Sequence, residues 1–311
     1  MGNIVVTGAA GVIGQAVVEG LLAKSYSITA IDSKPSPFGN ASGVRYIQCD
    51  ITDKEQVVMA MSGASALIHL ACSVDNDLAP YLSSADEKLS AQVDKFIYKA
   101  AVAAHLDLIM MLSTHQVYAQ PHNREPVRET FPEKPATIYG KLKHASEKAL
   151  ENALKKSSTR GVVMRICPVY SKRYIENLKA RVQDPADGSI FVYGYGDYGY
   201  SFTCLYNIPD FIYGVLSADR PIQGVYNVVD SKPTAAKDIV ELLKTDYNVT
   251  IVQSRNYSSD VAKKQLTVFG SKAIKTEYRY NDPVYACTNI NYDNTKAQQI
   301  ATFRWKLSNT K

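Results

Sequence analysis

Short apolar runs bounded by turn residues recur through the first half of the chain, at residues 4–7, 27–31, 44–48, 66–70, 108–113 and 161–167. They are rich in Val, Ile and Leu and do not alternate with polar residues, as expected of strands covered on both faces. Stretches with helical periodicity separate them, at 12–24, 54–61, 85–104 and 139–156. This alternation predicts an α/β fold built on a doubly wound parallel sheet. Beyond Cys167 the rhythm fails. Residues 179–202 read as loop-rich, 224–229 as one more buried strand, 235–245 as a short helix, and 250–311 as polar with weak periodicity. The expected division is a sheet domain over 1–170, rejoined by 201–230, and a smaller domain from 171–200 and 231–311.

Composition narrows the function. The 311 residues carry a formal charge of +5. Its basic residues are spread along the chain, which says little for nucleic acid. The five cysteines are odd in number, far apart and form no CxxC, so reduced thiols are expected, with no disulfide and no zinc site. His69, His105, His122 and His144 show no ligand spacing, and no metal is predicted. The longest apolar stretch, 98–112, is interrupted by Lys99, His105 and Asp107 and is not expected to span a bilayer. A glycine motif starts directly after Met1, where a secretory leader would lie. A soluble, cytoplasmic protein is expected.

That motif is TGAAGVIG at 7–14, closing the first strand and opening the first helix. Gly8 permits a sharp turn. Gly11 permits close approach of the backbone to a pyrophosphate, Gly14 lets helix and strand pack closely, and Val12 and Ile13 begin the helix whose N–H groups face the phosphates. The same pattern also occurs as a plain tight connection; its strand–turn–helix context favours a dinucleotide. Asp32 ends the second strand, where an acid receives adenosine ribose hydroxyls and repels a 2′-phosphate, favouring NAD over NADP. Lys34 beside it argues mildly the other way. Asp50, after the third strand, is a candidate for the adenine side, with an ordinary turn aspartate as the alternative.

Tyr139 and Lys143 share a helix face because residues four apart are neighbours there. A tyrosine acting as a base near neutrality must fall roughly three pKa units from about 10, or about 4 kcal/mol. A nearby ammonium supplies that attraction. The fifth strand delivers Ser113 and Thr114 at its C-terminal end, where open α/β sheets bind ligands. Thr114 is placed to hydrogen-bond the reacting oxygen, with Ser113 as the fallback. His115 reads as a second acid, a substrate contact or a hydrogen-bonded structural histidine. The tyrosines at 193, 195, 198 and 200 read as a base- or sugar-binding set or as a surface loop.

Together these residues resemble the extended short-chain dehydrogenase/reductase family, the NAD-dependent epimerase/dehydratase group. The likeness runs through the glycine motif, Asp50-Ile51, His69-Leu70-Ala71, Ser113-Thr114 with Val117-Tyr118, and the Tyr139–Lys143 pair. It continues through Arg165 with Pro168-Val169-Tyr170, Phe202 with Asp210, residues 224–227, and Lys296 with Trp305-Lys306. The resemblance implies a Rossmann domain with a smaller C-terminal substrate-binding domain, and a catalytic set of Thr114, Tyr139 and Lys143. It implies NAD held by Gly8, Gly11, Val12, Ile13, Gly14, Asp32, Asp50, Ile51, Leu70, Ala71, Tyr139, Lys143 and Pro168. It also implies a homodimer through paired helices.

Three departures bear on substrate. Dehydratases of the group carry Thr-Asp-Glu where this chain has Thr114-His115-Gln116, so the carboxylates for water elimination are missing. Many nucleotide-sugar members have Arg where Tyr200 precedes Phe202 by two, and Asn where Pro168 stands. The favoured reading is a nucleotide-sugar 4-epimerase, with Ser113, His115 and Tyr200 as candidate substrate contacts. The alternative is an NAD-dependent dehydrogenase or ketoreductase acting on a free sugar, uronate or other small hydroxy compound.

Overall fold

The structure, a computed structural model, describes residues 2–72, 84–119, 125–184, 187–247, 252–255 and 290–311. Cys287, His122 and most of the polar stretch 250–289 lie outside the described residues. The first half forms β1 (Asn3–Thr7), α1 (Val12–Leu22), β2 (Ser27–Asp32), β3 (Val44–Gln48), α2 (Lys54–Met61) and β4 (Ala64–His69). It continues with α3 (Ser84–Ala103), β5 (Leu108–Thr114), α4 (Ile138–Leu154) and β6 (Arg160–Ile166). With β11 (Gly224–Val228) these strands build one parallel seven-stranded sheet, ordered β11-β6-β5-β4-β1-β2-β3. Strand order reverses between β1 and β4, the place where such sheets leave a crevice beyond their C-terminal ends.

Alternate residues of each strand serve the two layers. Ile4, Val6, Met110, Leu112 and Met164 pack on one face with α1 and α6 (Asn207–Leu216). Val5, Leu67, Ile109, Met111 and Val163 pack on the other with α2, α3 and α4. Each such side chain contributes about 1.5–3 kcal/mol by leaving water, so a one-residue register slip would expose an entire layer. The sequence does not announce α6, because Pro209 and Gly214 read as breakers. Pro209 falls in the first turn, where no helical N–H is needed. A Cβ on Gly214 would come within 2.7 Å of the Ile300 carbonyl, so glycine is what lets the C-terminal segment close over the helix.

Past β6 the chain forms β7 (Val169–Tyr170), α5 (Glu176–Val182), β8 (Ile190–Tyr193), β9 (Gly199–Tyr200) and β10 (Thr203–Cys204). After β11 come β12 (Thr234–Ala235), α7 (Ala236–Tyr247), β13 (Val252–Arg255) and α8 (Thr295–Gln298). A separate apolar cluster, centred on Leu178, Val192, Phe202, Ile239 and Leu243, joins β7, α5, β8, β9, β10, α7 and β13, whereas Ala297 of α8 packs in the layer of α1 and α6. The region expected to be loop-rich thus contains the end of a short helix and, among its described residues, two strands of four and two residues, too brief to leave a periodic signature.

Among the described residues of the sheet domain, one charged group has no exposed surface. Arg165 on β6 is met by Glu147 on α4, with Nε to Oε1 at 3.0 Å and Nη2 to Oε2 at 2.6 Å. Glu133 also pairs with it, and its guanidinium lies 4.6 Å over the Tyr118 ring. Burial works against the Glu133 carboxylate, but Arg165 and then Lys148 hold it at about 2. Glu147→Ala is expected to lower the unfolding free energy by about 3 kcal/mol in a urea melt, because it strands a buried cation. The Glu133 contribution should be complete above pH 4.5, its ordinary value, and vanish as pH falls toward 2. Glu133→Gln should remove that slope from the acid side of the stability profile.

Candidate active site

The turn after β1 makes a cradle. Gly8 adopts φ +71°, and a Cβ there would stand 2.7 Å from the Ala71 amide nitrogen; a Cβ on Gly14 would stand 2.0 Å from the Gly8 carbonyl oxygen. Gly11 precedes α1 with no side-chain cap, so the first-turn N–H groups open onto the crevice. Asp32 crosses to this loop: Oδ2 accepts the Ala10 N–H at 2.9 Å and Oδ1 the Lys34 N–H at 3.0 Å. Each carboxylate oxygen retains a second lone pair. Asp50 closes a local turn by accepting from the Thr52 N–H and hydroxyl, which with little opposition from burial hold its carboxyl below the usual range.

These residues line one cleft of about 690 Å³. Asp50 and Ile51 reach it from the end of β3, Asp32 from β2, Gly8, Gly11, Val12, Ile13 and Gly14 from the turn after β1, and Leu70 and Ala71 from the end of β4. Thr114 enters from the end of β5, Tyr139 and Lys143 from α4, and Pro168 from beyond β6. All the sequence-derived cofactor and proton-transfer positions therefore meet in a single space. Ser113 does not. Its hydroxyl donates to Glu147 on the α4 side, because consecutive strand residues face opposite layers. Tyr200 lies buried against Phe202 and Tyr198, its hydroxyl 3.3 Å from the Arg181 carbonyl oxygen, and is not part of the cleft wall.

The position of α4 follows from its first turn. Thr137 caps it, accepting the Gly140 N–H at 2.9 Å while donating to the Gln116 side-chain oxygen at 2.6 Å. A Cβ on Gly140 would come within 2.4 Å of the Gln116 carbonyl oxygen, so glycine lets the helix seat directly on the turn that follows Thr114. Lys143 is then almost fully buried. Burial opposes its ammonium, but Cys72, Tyr139 and Asp94 together raise its pKa above the ordinary lysine value. The Tyr139 attraction is reciprocal: the ammonium favours the phenolate by as much as the phenolate favours the ammonium.

His115 stands just past the cleft, Nδ1 meeting the Tyr292 hydroxyl at 3.1 Å. Burial, and then the Arg181 charge, lower its pKa to about 3. At neutral pH it holds no imidazolium proton to give. Of four further residues that line the cleft, only His69 belongs to a motif noted in the sequence. His69 and Asp94 line the wall beside Lys143, and Tyr174 and Asn177 line it from the α5 side. Asn177 donates to the Val169 carbonyl oxygen at 2.8 Å, while its own buried oxygen has no partner and is an open acceptor for a ligand. The loop cradle, the acid at the second strand and this orphaned acceptor suit a dinucleotide with a polar substrate beside it.

Among the described residues no group of three or more His, Cys, Asp or Glu side chains is arranged to hold a metal, and no helix is long and apolar enough to cross a membrane.

The family model for the NAD-dependent epimerase/dehydratase family matches residues 4–228. An L-arabinose 1-dehydrogenase (NAD(P)(+)) of Haloferax volcanii is 29% identical over 152 residues, 45% of this chain and 56% of that protein. A dTDP-glucose 4,6-dehydratase of Mycolicibacterium smegmatis is 32% identical over 160 residues, 47% of this chain and 46% of that protein. These matches span about half the length of the curated relatives. The crystal structure of a UDP-glucuronic acid 4-epimerase from Bacillus cereus, in complex with UDP-glucuronic acid and NAD, superposes with a TM-score of 0.73. That pair is 19% identical and covers 98% of this chain and 94% of the other. The matched family model, the parallel sheet and its crevice agree: the chain belongs to the NAD-dependent epimerase/dehydratase family, of the extended short-chain dehydrogenase/reductase type.

Proposed function

We propose that this protein is a nucleotide-sugar 4-epimerase using NAD. The observation that carries the reading is that Thr114, Tyr139 and Lys143 line the same cleft as the glycine cradle. When bound, NAD supplies a nicotinamide ring able to take a hydride and return it. Gly8, Gly11, Val12, Ile13 and Gly14 would hold its pyrophosphate, Asp32 its adenosine ribose, and Asp50 and Ile51 its adenine. Leu70, Ala71 and Pro168 form the remaining wall. Tyr139 accepts the proton of a substrate hydroxyl, Thr114 hydrogen-bonds the same oxygen, and the Lys143 ammonium stabilises the phenolate. A ketone that turns over in place and is reduced on its other face becomes the epimer. Residues 171–200 and 231–311 are read as the part that holds the substrate.

A second reading has its own support. Tyr200, which stands where many nucleotide-sugar members carry Arg, is buried in an aromatic cluster outside the cleft. That removes one customary contact to a diphosphate and leaves room for an NAD-dependent dehydrogenase acting on a free sugar, uronate or small hydroxy compound. The similarity to an arabinose dehydrogenase points the same way.

Two experiments test these readings. Purified protein incubated with a panel of UDP- and dTDP-sugars should convert one to its 4-epimer with no added NAD. Tyr139→Phe should lower kcat by roughly 10²–10⁴-fold while leaving dinucleotide binding in place. Failure to turn over any of the nucleotide sugars removes the epimerase, and stoichiometric NADH formation from a free sugar establishes the alternative. Asp32→Ala should weaken NAD binding by roughly tenfold, the loss of about one charged hydrogen bond, and narrow the preference over NADP. A wild-type protein that already binds both equally would contradict the role given to Asp32.

A further inference from the structure

A buried chain of polar groups runs behind Lys143. The Ala71 N–H reaches the Thr7 hydroxyl at 3.3 Å, Thr7 Oγ1 meets His69 Nδ1 at 2.7 Å, and His69 Nε2 meets Asp94 Oδ1 at 3.0 Å. The chain is fully satisfied if the Thr7 hydroxyl donates to Nδ1 and Nε2–H donates to the carboxylate, which fixes the imidazole tautomer. Asp94 also bonds the Ser146 hydroxyl, which itself meets the Tyr98 hydroxyl at 2.8 Å. Asp94 on α3 is thereby tied to β4 through His69, to β1 through Thr7, and to α4 one turn past Lys143. Both His69 and Asp94 line the cleft.

We propose that Asp94 is a positioning residue of this site, acting through Lys143. Its carboxylate, held by His69 and Ser146, is the fixed negative charge behind the lysine ammonium and sets the pH range in which Tyr139 accepts a proton. This rests on the Tyr139–Lys143 reading given above. Asp94 is 6% exposed, and a carboxylate so deep in a protein persists as an anion only with such partners. Burial opposes its ionisation, but His69, Lys143 and Ser146 hold its pKa below the usual carboxylate range. The titratable and charged groups facing it are His69 from β4, Lys143 from α4 and Tyr98 from its own helix. Cys72 and Tyr139 join the ring through Lys143, and Glu147 through Tyr98. Glycine-motif residues and Thr114 carry no charge, so Asp94 and Lys143 are the opposed charges from which the phenol's acidity follows.

The sign is definite. Removing a negative charge lowers the proton affinity of every neighbour, the phenol and the ammonium alike. Asp94→Asn should therefore move both limbs of the kcat/KM pH profile to lower pH, by about one unit for a charge of this proximity in a partly dry site. Asp94→Glu, which restores the charge, should move them back. A residue holding only structure would lower kcat at every pH and leave the limbs where they are. A second readout needs no substrate: the near-ultraviolet phenolate absorbance of the NAD-loaded enzyme, taken as its difference from Tyr139→Phe, should titrate at lower pH in Asp94→Asn. If Asp94→Asn does not fold, Asp94→Ser, which leaves room for water, replaces it in both measurements. Limbs and phenolate titration that coincide with wild type overturn the proposal. If no sugar turns over, the phenolate titration alone decides it, so failure of the epimerase reading and failure of this one are told apart.

Discussion

The arrangement rests on a buried guanidinium. Arg165 projects from β6 into the layer beneath α4, where Glu147 takes two of its nitrogens and also accepts from Ser113 on β5. Such a pair is a weak source of stability, since the desolvation of both ions offsets most of their attraction. Its consequence is geometric. Only one rotation of α4 about its own axis brings Glu147 to Arg165, and residues four apart lie on the same face. With Glu147 so fixed, Lys143 and then Tyr139 must climb that face toward the crevice. The Thr137 cap and the close seat at Gly140 set the helix's height along the same line. Rotation and height together place the phenol and ammonium opposite Thr114.

The sheet domain was largely legible because its physics is local. Continuous Val, Ile and Leu runs mean strands covered on both faces, and the observed β3 and α2 keep the boundaries that periodicity predicts. The cofactor turn was legible for the same reason: a glycine needed for positive φ or close approach leaves a mark in the sequence itself. What depends on side-chain direction or on distant partners left none. Ser113 and Thr114 are adjacent and chemically alike, yet the strand's pleat sends one to Glu147 and the other to the cleft. Asp94 and His69 lie 25 positions apart, and neither spacing nor composition hints that they touch. Asn177 lies in a seven-residue helix among short strands, where no period has room to show.

Electrostatics then assigns the proton traffic. Of the groups near Thr114, His115 hydrogen-bonds to Tyr292, and burial and then Arg181 push its pKa down. Gln116 is tied to Thr137. These two positions carry the carboxylates in dehydratases, and neither side chain here is a carboxylate.

Epimerase and dehydrogenase share every step up to the ketone, and for both the sheet domain supplies the same three side chains. The distinction lies in how the substrate's far end is held: firmly enough for release to be slow, yet loosely enough for the ring to turn. On the proposed reading that task falls to the elements after β6. There, Asn177 offers an open acceptor at the cleft, while Tyr200 is withdrawn into the cluster of Phe202 and its neighbouring tyrosines. A tyrosine so packed gives rigidity to the wall and no charge to a diphosphate. On the proposed reading, the α5 face and the aromatic cluster beneath it would select the substrate, and the glycine cradle and the Tyr–Lys helix would serve whichever hydroxyl that wall presents.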